Sequence, residues 1–511
     1  MEYRLDNIKL NPEESESKLH DLAVKKLGHE PAYFRIIKKS LDARDKKNIF
    51  WLYSIVFSDE VPAEPAPQKK LANPPAVAII GSGPAGLLCA TELIAHGIKP
   101  VIIERGAPVE DRRLAVREFM INGNLDDNCN VQFGEGGAGA FSDGKLNTGT
   151  KDANNSKVLE TFAHFGAPRE ILYSNKPHVG SDILYNVLKN IRKFILCNGG
   201  TYMFNTRLTG IKVRDGKLQS IQVLDVRSGL QKDLRYDAVV LAIGHSARDT
   251  FEMLHRKGVY MEPRSFAVGV RIEHVQEDIS RAQYGPMSKY LPAADYKAVS
   301  HASERSVFTF CMCPGGVVMP AASEFGGVVT NGMSNNARDG RNANAALMVQ
   351  MGLADFGEGL FAGMEFQRSL ERKAYAAGGR SYKAPVQRVG DFLAGRCSDR
   401  FGSVKPTYSC GTVFAPMEEI LPDSVTQALR LAIPDIDKRI KGFASPDALL
   451  TAVESRFSSP VRITRKDSGE SVSVSGLFPC GEGSGYSGGI TSSAADGIGT
   501  ADKIFRMYDK Y

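Results

Sequence analysis

The spacing of apolar positions changes along the chain, and each change marks an element. Residues 3–10 alternate apolar and polar, the period of a half-buried strand. In residues 14–27, Leu19, Leu22, Ala23 and Leu27 share one helical face. Residues 33–38 and 49–57 read as two further strands. Five prolines (Pro62, Pro65, Pro67, Pro74, Pro75) then crowd residues 61–75, which excludes a helix and predicts a linker. An apolar run at 77–80, a helix-like stretch at 87–96 and a second apolar run at 100–103 follow.

Further on, the pattern predicts a helix over 181–197 and a strand at 201–204. A hairpin-like pair at 207–213 and 218–226 and a strand at 236–244 come next. A late strand at 475–482 leads into a small-residue helix over 491–507. Between 256 and 470 the texture differs, with strands at 266–272, 307–312 and 327–330 and a helix over 345–351. The expected fold class is α/β. A small ferredoxin-like α/β module (1–60) and a Pro-rich linker (61–75) precede a discontinuous Rossmann-like domain (76–255 and 471–511). A mixed α+β substrate or cap domain (256–470) is inserted in it.

The first apolar run feeds Gly81, Ser82, Gly83, Pro84, Ala85 and Gly86, a G-x-G-x-x-G turn, and Glu104 ends the second run with Arg105 beside it. Gly81 turns the chain out of the strand, Gly83 leaves room for a pyrophosphate, and Gly86 lets the helix pack close to the sheet. The pyrophosphate would rest on the exposed N–H groups and positive dipole end of that helix. A carboxylate at Glu104 would accept ribose hydroxyls and repel a 2′-phosphate, which argues against NADP in this site.

Three other segments move the reading from NAD to FAD. One is the glycine-rich insert over 133–146, which carries Gly136, Gly137, Lys145 and Leu146. Another is the strand closing on Gly244, with His245 after it in a cofactor-side structural role. The third is the late strand ending in Gly481 and Glu482, followed by a glycine-rich turn to Gly489 and Ile490. A second complete G-x-G-x-x-G unit is absent. NAD(P)H would therefore reduce the flavin by docking transiently in the cap cleft, or the substrate itself would deliver the hydride.

The layout resembles the glutathione-reductase-like FAD-binding flavoproteins, with Gly481-Glu482 where those carry Gly-Asp. More narrowly, the strings FGEGGAGAFSDGKL, VVLAIGHSARDTFEML, FAVGVRIEH, FCMCPGG, SSPVRI and LFPCGEGSGYSGGI resemble a bacterial and plastid family of FAD-dependent (NAD(FAD)-utilising) dehydrogenases. That resemblance implies that Arg207 and Leu208 read the adenine through their backbone and that Gly244 passes the ADP half. It also implies that Glu482 holds the ribityl chain, and that Gly489 and Ile490 offer N–H groups to the flavin's pyrimidine edge.

His178, in a rigid turn before a helix, and Lys145, at the end of the glycine insert, are the catalytic candidates. Cys311 and Cys313 lack the C-x-x-C spacing but would share one face of a strand, so they read as structural thiols, with a thiol pair facing the flavin as the alternative. Arg456, Arg462 and Arg465 could hold an anionic substrate or form salt bridges. No metal-binding set is expected. The net charge of +6 is mild, and the basic cluster Arg35, Lys38, Lys39, Arg44, Lys46 and Lys47 reads as a solvated face, so nucleic acid is an unlikely partner. No run is long enough to span a bilayer, no secretory signal opens the chain, and eight scattered cysteines suit a reduced, cytoplasmic protein. The expected function is an FAD-dependent oxidoreductase transferring a hydride between flavin N5 and a small organic substrate. The alternative is a flavin-dependent RNA-modifying or RNA-binding protein.

Overall fold

A computed structural model describes residues 2–63 and 68–509, so Pro65 and Pro67 of the expected linker lie outside the described residues. The strand Val77–Ile80 is buried at every position because helices and sheets cover both of its faces. It lies at the centre of a five-stranded parallel sheet ordered Leu477–Pro479, Ala238–Leu241, Val77–Ile80, Val101–Ile103, Thr201–Met203. The chain runs one way from Val77–Ile80 to Val101–Ile103, and its later strand Ala238–Leu241 joins on the other side. The crevice beyond the carboxyl ends of these two strands is a topological switch point, where α/β sheets bind ligands.

On one face of this sheet the helices Pro84–Ala95, Ser181–Cys197 and Ile490–Tyr508 share a core built on Leu88, Leu93, Val187, Ile191 and Ile498. The first and last of these helices cross at Gly497, where a Cβ would stand 2.2 Å from the Ala85 carbonyl oxygen. On the other face lie the antiparallel sheet Thr206–Arg214, Lys217–Asp225, Gln231–Leu234 and the helix Arg248–Arg256.

The strands Met261–Pro263 and Val461–Ile463 pair antiparallel and tie the two ends of the next unit together. Its seven-stranded sheet runs Val299–Ser300, Val307–Cys313, Asn342–Met351, Phe266–Val275, Leu449–Glu454, Ala384–Arg388, Thr412–Phe414. The helices Ala362–Ala377 and Asp423–Asp437 pack on it.

Two sequence expectations fail in this unit. The helix expected over 345–351 is the strand Asn342–Met351, paired with Phe266–Val275 on one side and Val307–Cys313 on the other. Its Ala, Leu and Met residues favour helix in isolation. Nearly every position is buried on both faces, and such a run carries no period to separate strand from helix. The strand expected at 327–330 is instead Thr330–Met333, the return arm of a hairpin with Val317–Pro320.

The N-terminal module forms an antiparallel sheet in the order Glu2–Leu10, Phe50–Ser58, Tyr33–Asp42. The helix Ser17–Leu27 buries Leu19 and Ala23 against Tyr53, Ile55 and Phe57. One helix and three strands make the first four of the six elements of a β-α-β-β-α-β ferredoxin-like unit, not the complete one.

Candidate active site

A cavity of about 680 Å³ opens at the switch point and extends to the wall of the second sheet. At its inner end lie Gly81, Ser82, Gly83, Pro84 and Ala85. Gly81 has φ +103°, and a Cβ there would stand 2.3 Å from the Ala242 carbonyl oxygen. Gly86 does not line the cleft. Its Cβ would stand 2.0 Å from the Gly81 carbonyl oxygen, so it serves the close packing of strand and helix. Gly83 caps the helix with Pro84 at the first position, and a Cβ on it would come no nearer than 3.7 Å to its closest neighbour, Gly137 Cα.

Glu104 borders the cleft, but its carboxylate is engaged by the protein. One oxygen accepts from the Ser82 N–H at 2.8 Å and the Ser82 hydroxyl at 2.7 Å. The other accepts from the N–H groups of Gly106 at 2.9 Å and Gly134 at 3.0 Å. With four donors satisfied, Glu104 clamps the glycine turn to the glycine insert here and presents no open ribose acceptor, a correction to the sequence reading. Arg105 borders the cleft too, stacked 4.2 Å over Phe133 and paired to Asp249 at 2.5 Å. Arg207 and Leu208 line the same end.

The glycine insert owes its shape to Arg112, which nothing in the sequence pattern singles out. Its guanidinium, without exposed surface, donates to the carbonyls of Asn130, Val131, Gly134, Glu135 and Gly137. Gly137 faces the cleft, but Gly136 does not. A Cβ on Gly136 would meet Leu188 at 2.4 Å, and its N–H donates to the Ser82 carbonyl at 2.8 Å. Leu146 is likewise a core residue, buried beside the Ser181–Cys197 helix, and its carbonyl accepts the Thr491 hydroxyl at 2.6 Å.

That bond places Lys145 beside the N-terminus of the last helix, where Gly489 (φ +93°) and Ile490 line the cleft. Lys145 Nζ is shielded from solvent without a hydrogen-bond partner, and its nearest carboxylate, Asp143, is 3.6 Å away. His178 pairs by backbone with Lys145 but is not part of the cleft lining. Its Nε2 faces the Asn336 carbonyl at 3.1 Å, and burial together with Arg338 keeps the ring neutral at lower pH than usual. The structure therefore removes His178 from the reacting groups and leaves it backing Lys145.

Midway along the cleft, Gly244, His245, Gly481 and Glu482 converge. His245 Nδ1 lies 3.5 Å from the Glu482 carboxylate, and its buried Nε2 has no partner. Positions 244, 488 and 489 would have open space within 4 Å of an added Cβ. A glycine-walled channel, a helix N-terminus at each end, an unpartnered donor at Lys145 and an unpartnered ring nitrogen at His245 fit an extended dianionic dinucleotide with a polar ring edge. FAD matches that donor set.

The far wall comes from the second sheet and from the hairpin arm Thr330–Met333, and was mostly missed by sequence reasoning. Thr309, Phe310, Cys311, Met312, Thr330, Asn331, Glu454, Arg456 and Phe457 line it. Phe310 and Phe457 meet edge to face at 4.5 Å. Burial pushes the Glu454 carboxyl up to about 7, against the pull of Arg271 at 3.6 Å. Arg456 does not reach out to a ligand, because it forms a bidentate pair with Glu371 at 3.0 and 2.9 Å. Arg465 is paired with Asp496 at 2.6 Å, and Arg462 stacks on Tyr486.

The basic cluster of the N-terminal module is partly spent inside the protein. Lys39 bridges Glu16 and Glu170, Lys46 donates to the Ala282 carbonyl, and Arg44 pairs with Asp42. Glu92, His96 and Asp502 bring three potential ligand atoms within 4.8 Å, but Glu92 is already held by Lys157 at 2.5 Å and Gln68 at 2.8 Å. No helix among the described residues is long and apolar enough to cross a membrane.

Three family models match successive parts of the chain. A domain of unknown function covers 3–58, the pyridine nucleotide-disulphide oxidoreductase model covers 75–263, and the FAD-dependent protein, C-terminal domain-like model covers 265–457. An uncharacterized protein of Clostridium beijerinckii is 45% identical over 538 residues, spanning 100% of this chain and 99% of its own length. Among solved structures, the flavin-dependent brominase Bmp2 is 14% identical, covering 86% of this chain and 80% of its own, at a TM-score of 0.40. A geranylgeranyl bacteriochlorophyll reductase-like protein of Thermoplasma acidophilum is 12% identical, covering 86% and 83%, at a TM-score of 0.39.

Proposed function

This chain belongs to the family of the Clostridium beijerinckii protein, an FAD-dependent oxidoreductase family with FAD as cofactor, and from that premise we propose that it moves a hydride between flavin N5 and a small organic substrate. The carrying observation is the single cleft that joins the glycine turn at 81–85 to the wall bearing Glu454, Phe310 and Phe457. Bound FAD would supply the hydride-transfer chemistry.

The chain's own groups divide the remaining work. The turn and helix start at 81–85 hold the pyrophosphate, and Arg207 and Leu208 border the adenine end. Glu482 and His245 hold the polyol in the middle of the cleft. Lys145 and the Gly489–Ile490 helix start place positive potential at the ring end, where reduction builds negative charge. Phe310 and Phe457 keep water from the substrate side. Glu454 holds or releases a proton at its carboxylate, and a value near 7 suits both tasks. NADH or NADPH docking transiently against this wall is the electron donor the reading favours.

Anaerobic mixing of the FAD-loaded chain with NADH and with NADPH tests the reductive half. Bleaching of flavin absorbance is expected with one or both, and no bleaching with either removes the reductase form of the reading. Glu454→Gln is expected to lower kcat/KM about 100-fold and to abolish the titration near pH 7. A retained limb in the variant's pH–rate profile would assign that titration elsewhere.

A further inference from the structure

Cys311 and Cys313 stand where the strand Val307–Cys313 slips register against Asn342–Met351, between Phe310 and Cys313. Cys311 has φ +41°, a left-handed conformation for a residue with a side chain. On a regular strand, residues two apart have Cα atoms about 6.6–6.8 Å apart, near the upper limit for a disulfide. The irregularity re-aims the pair, as bulges beside active sites do, and the Cys313 thiol donates to the Cys311 carbonyl at 3.2 Å.

The surroundings suit a thiolate. Cys311 lines the cleft together with Lys145, Gly489 and Ile490, while Cys313 is fully buried behind it. Arg271, without exposed surface, donates to the Cys311 carbonyl at 2.9 Å and faces Cys313 Sγ at 3.6 Å. The neighbouring Cys313 thiol, then Lys145 and Arg271, pull the Cys311 thiol below its usual range against burial, while Cys311 and burial push the Cys313 thiol up. Burial pushes the thiols of Cys89, Cys410 and Cys480 the other way. Buried structural thiols need neither a guanidinium nor an opening onto the cofactor cleft.

We propose that Cys311 and Cys313 form a redox-active dithiol that exchanges two electrons with the cofactor of this cleft, an inference that rests on the FAD reading. In the oxidising direction the two S–H bonds break and an Sγ–Sγ bond forms. The two electrons and two protons pass to oxidised FAD, giving its two-electron-reduced form. The reverse reaction restores both thiols. Glu454, on the same wall, takes and returns the Cys311 proton.

Anaerobic dithionite titration of the oxidised, FAD-loaded full chain reads the capacity directly. Wild type is expected to take up about four electron equivalents per chain, and Cys311→Ser and Cys313→Ser about two. Alkylation followed by peptide mass spectrometry adds a readout that needs no variant. In the oxidised chain the peptide bearing Cys311 and Cys313 should resist alkylation and weigh two hydrogens less, and after titration both thiols should label. A flavin-loaded wild type that takes up two equivalents and labels both thiols beforehand overturns the dithiol while leaving the FAD reading intact. A chain that binds no flavin overturns both.

Discussion

Gly83→Asp is expected to strip FAD from the protein while leaving the fold as stable as before. Gly83 has φ −73°, which any residue adopts, and a Cβ there meets nothing closer than 3.7 Å. It also caps the helix Pro84–Ala95, a position where aspartate is among the favoured residues and a negative charge opposes the helix dipole. The apo chain should therefore melt at the same temperature or slightly higher. The added carboxylate occupies the place assigned to the pyrophosphate. Two unit charges at about 4 Å repel by roughly 1–4 kcal/mol between water-like and protein-surface dielectrics. With the steric loss added, FAD affinity should fall by at least about 100-fold, or 2.7 kcal/mol. Flavin fluorescence titration beside a thermal melt separates the outcomes. Unchanged affinity would place the pyrophosphate elsewhere. Gly86→Ala is the counterpart, because its Cβ would lie 2.0 Å from the Gly81 carbonyl oxygen and must disturb the fold itself.

The second large effect concerns the polar knot beneath the cleft. Glu371 is buried and accepts from Arg248 at 2.8 and 2.9 Å, from Arg456 at 3.0 and 2.9 Å and from Ser455 at 2.7 Å. It joins the helix Arg248–Arg256 of the first unit to Ala362–Ala377 of the second. Glu371→Ala leaves two buried guanidiniums short of a partner and should cost about 3–5 kcal/mol. Burial alone would raise this carboxyl, but Arg248 and Arg456 hold it well below its usual range. A lowered folded value means the stabilisation is complete above the unfolded value of 4.5 and is lost only as the pH falls through the folded one. The gap between wild type and variant in denaturant midpoint should thus be flat at neutral pH and narrow in strong acid. A gap under about 1 kcal/mol at pH 7 would show that the knot is not holding the two units together.

Much of the cofactor half was legible because its chemistry is local. The turn from Gly81 to Gly86, the strand ending at Gly244 and the pair Gly481-Glu482 each announce themselves within a few residues of chain, and all three meet at the sheet's switch point. Glu104 was read by its place in the motif, yet the tertiary fold supplies four protein donors that a sequence cannot display. Arg112 shows the same limit from the other side. In sequence it looks like one more cation in a charged stretch, but it is the post around which the glycine insert is wrapped.

The substrate wall was hidden for a different reason. Cys311 and Glu454 come from strands of one sheet far apart in sequence, Thr330 comes from a separate hairpin, and only the tertiary fold brings the three to one wall. The strand Asn342–Met351 at the sheet's middle was read partly as a helix, so the sheet that assembles this wall could not be built from pattern alone. His178 was chosen for its residue type, and what decides its role is a carbonyl from residue 336, more than 150 positions away.

The most direct test is the flavin content of the full chain. Purified and supplied with FAD, then freed of unbound cofactor and denatured, the protein should release about one FAD per chain, with neither FMN nor NADP able to displace it at comparable concentration. Release of no flavin, or saturable binding of NADP in its place, would contradict the assignment of this cleft.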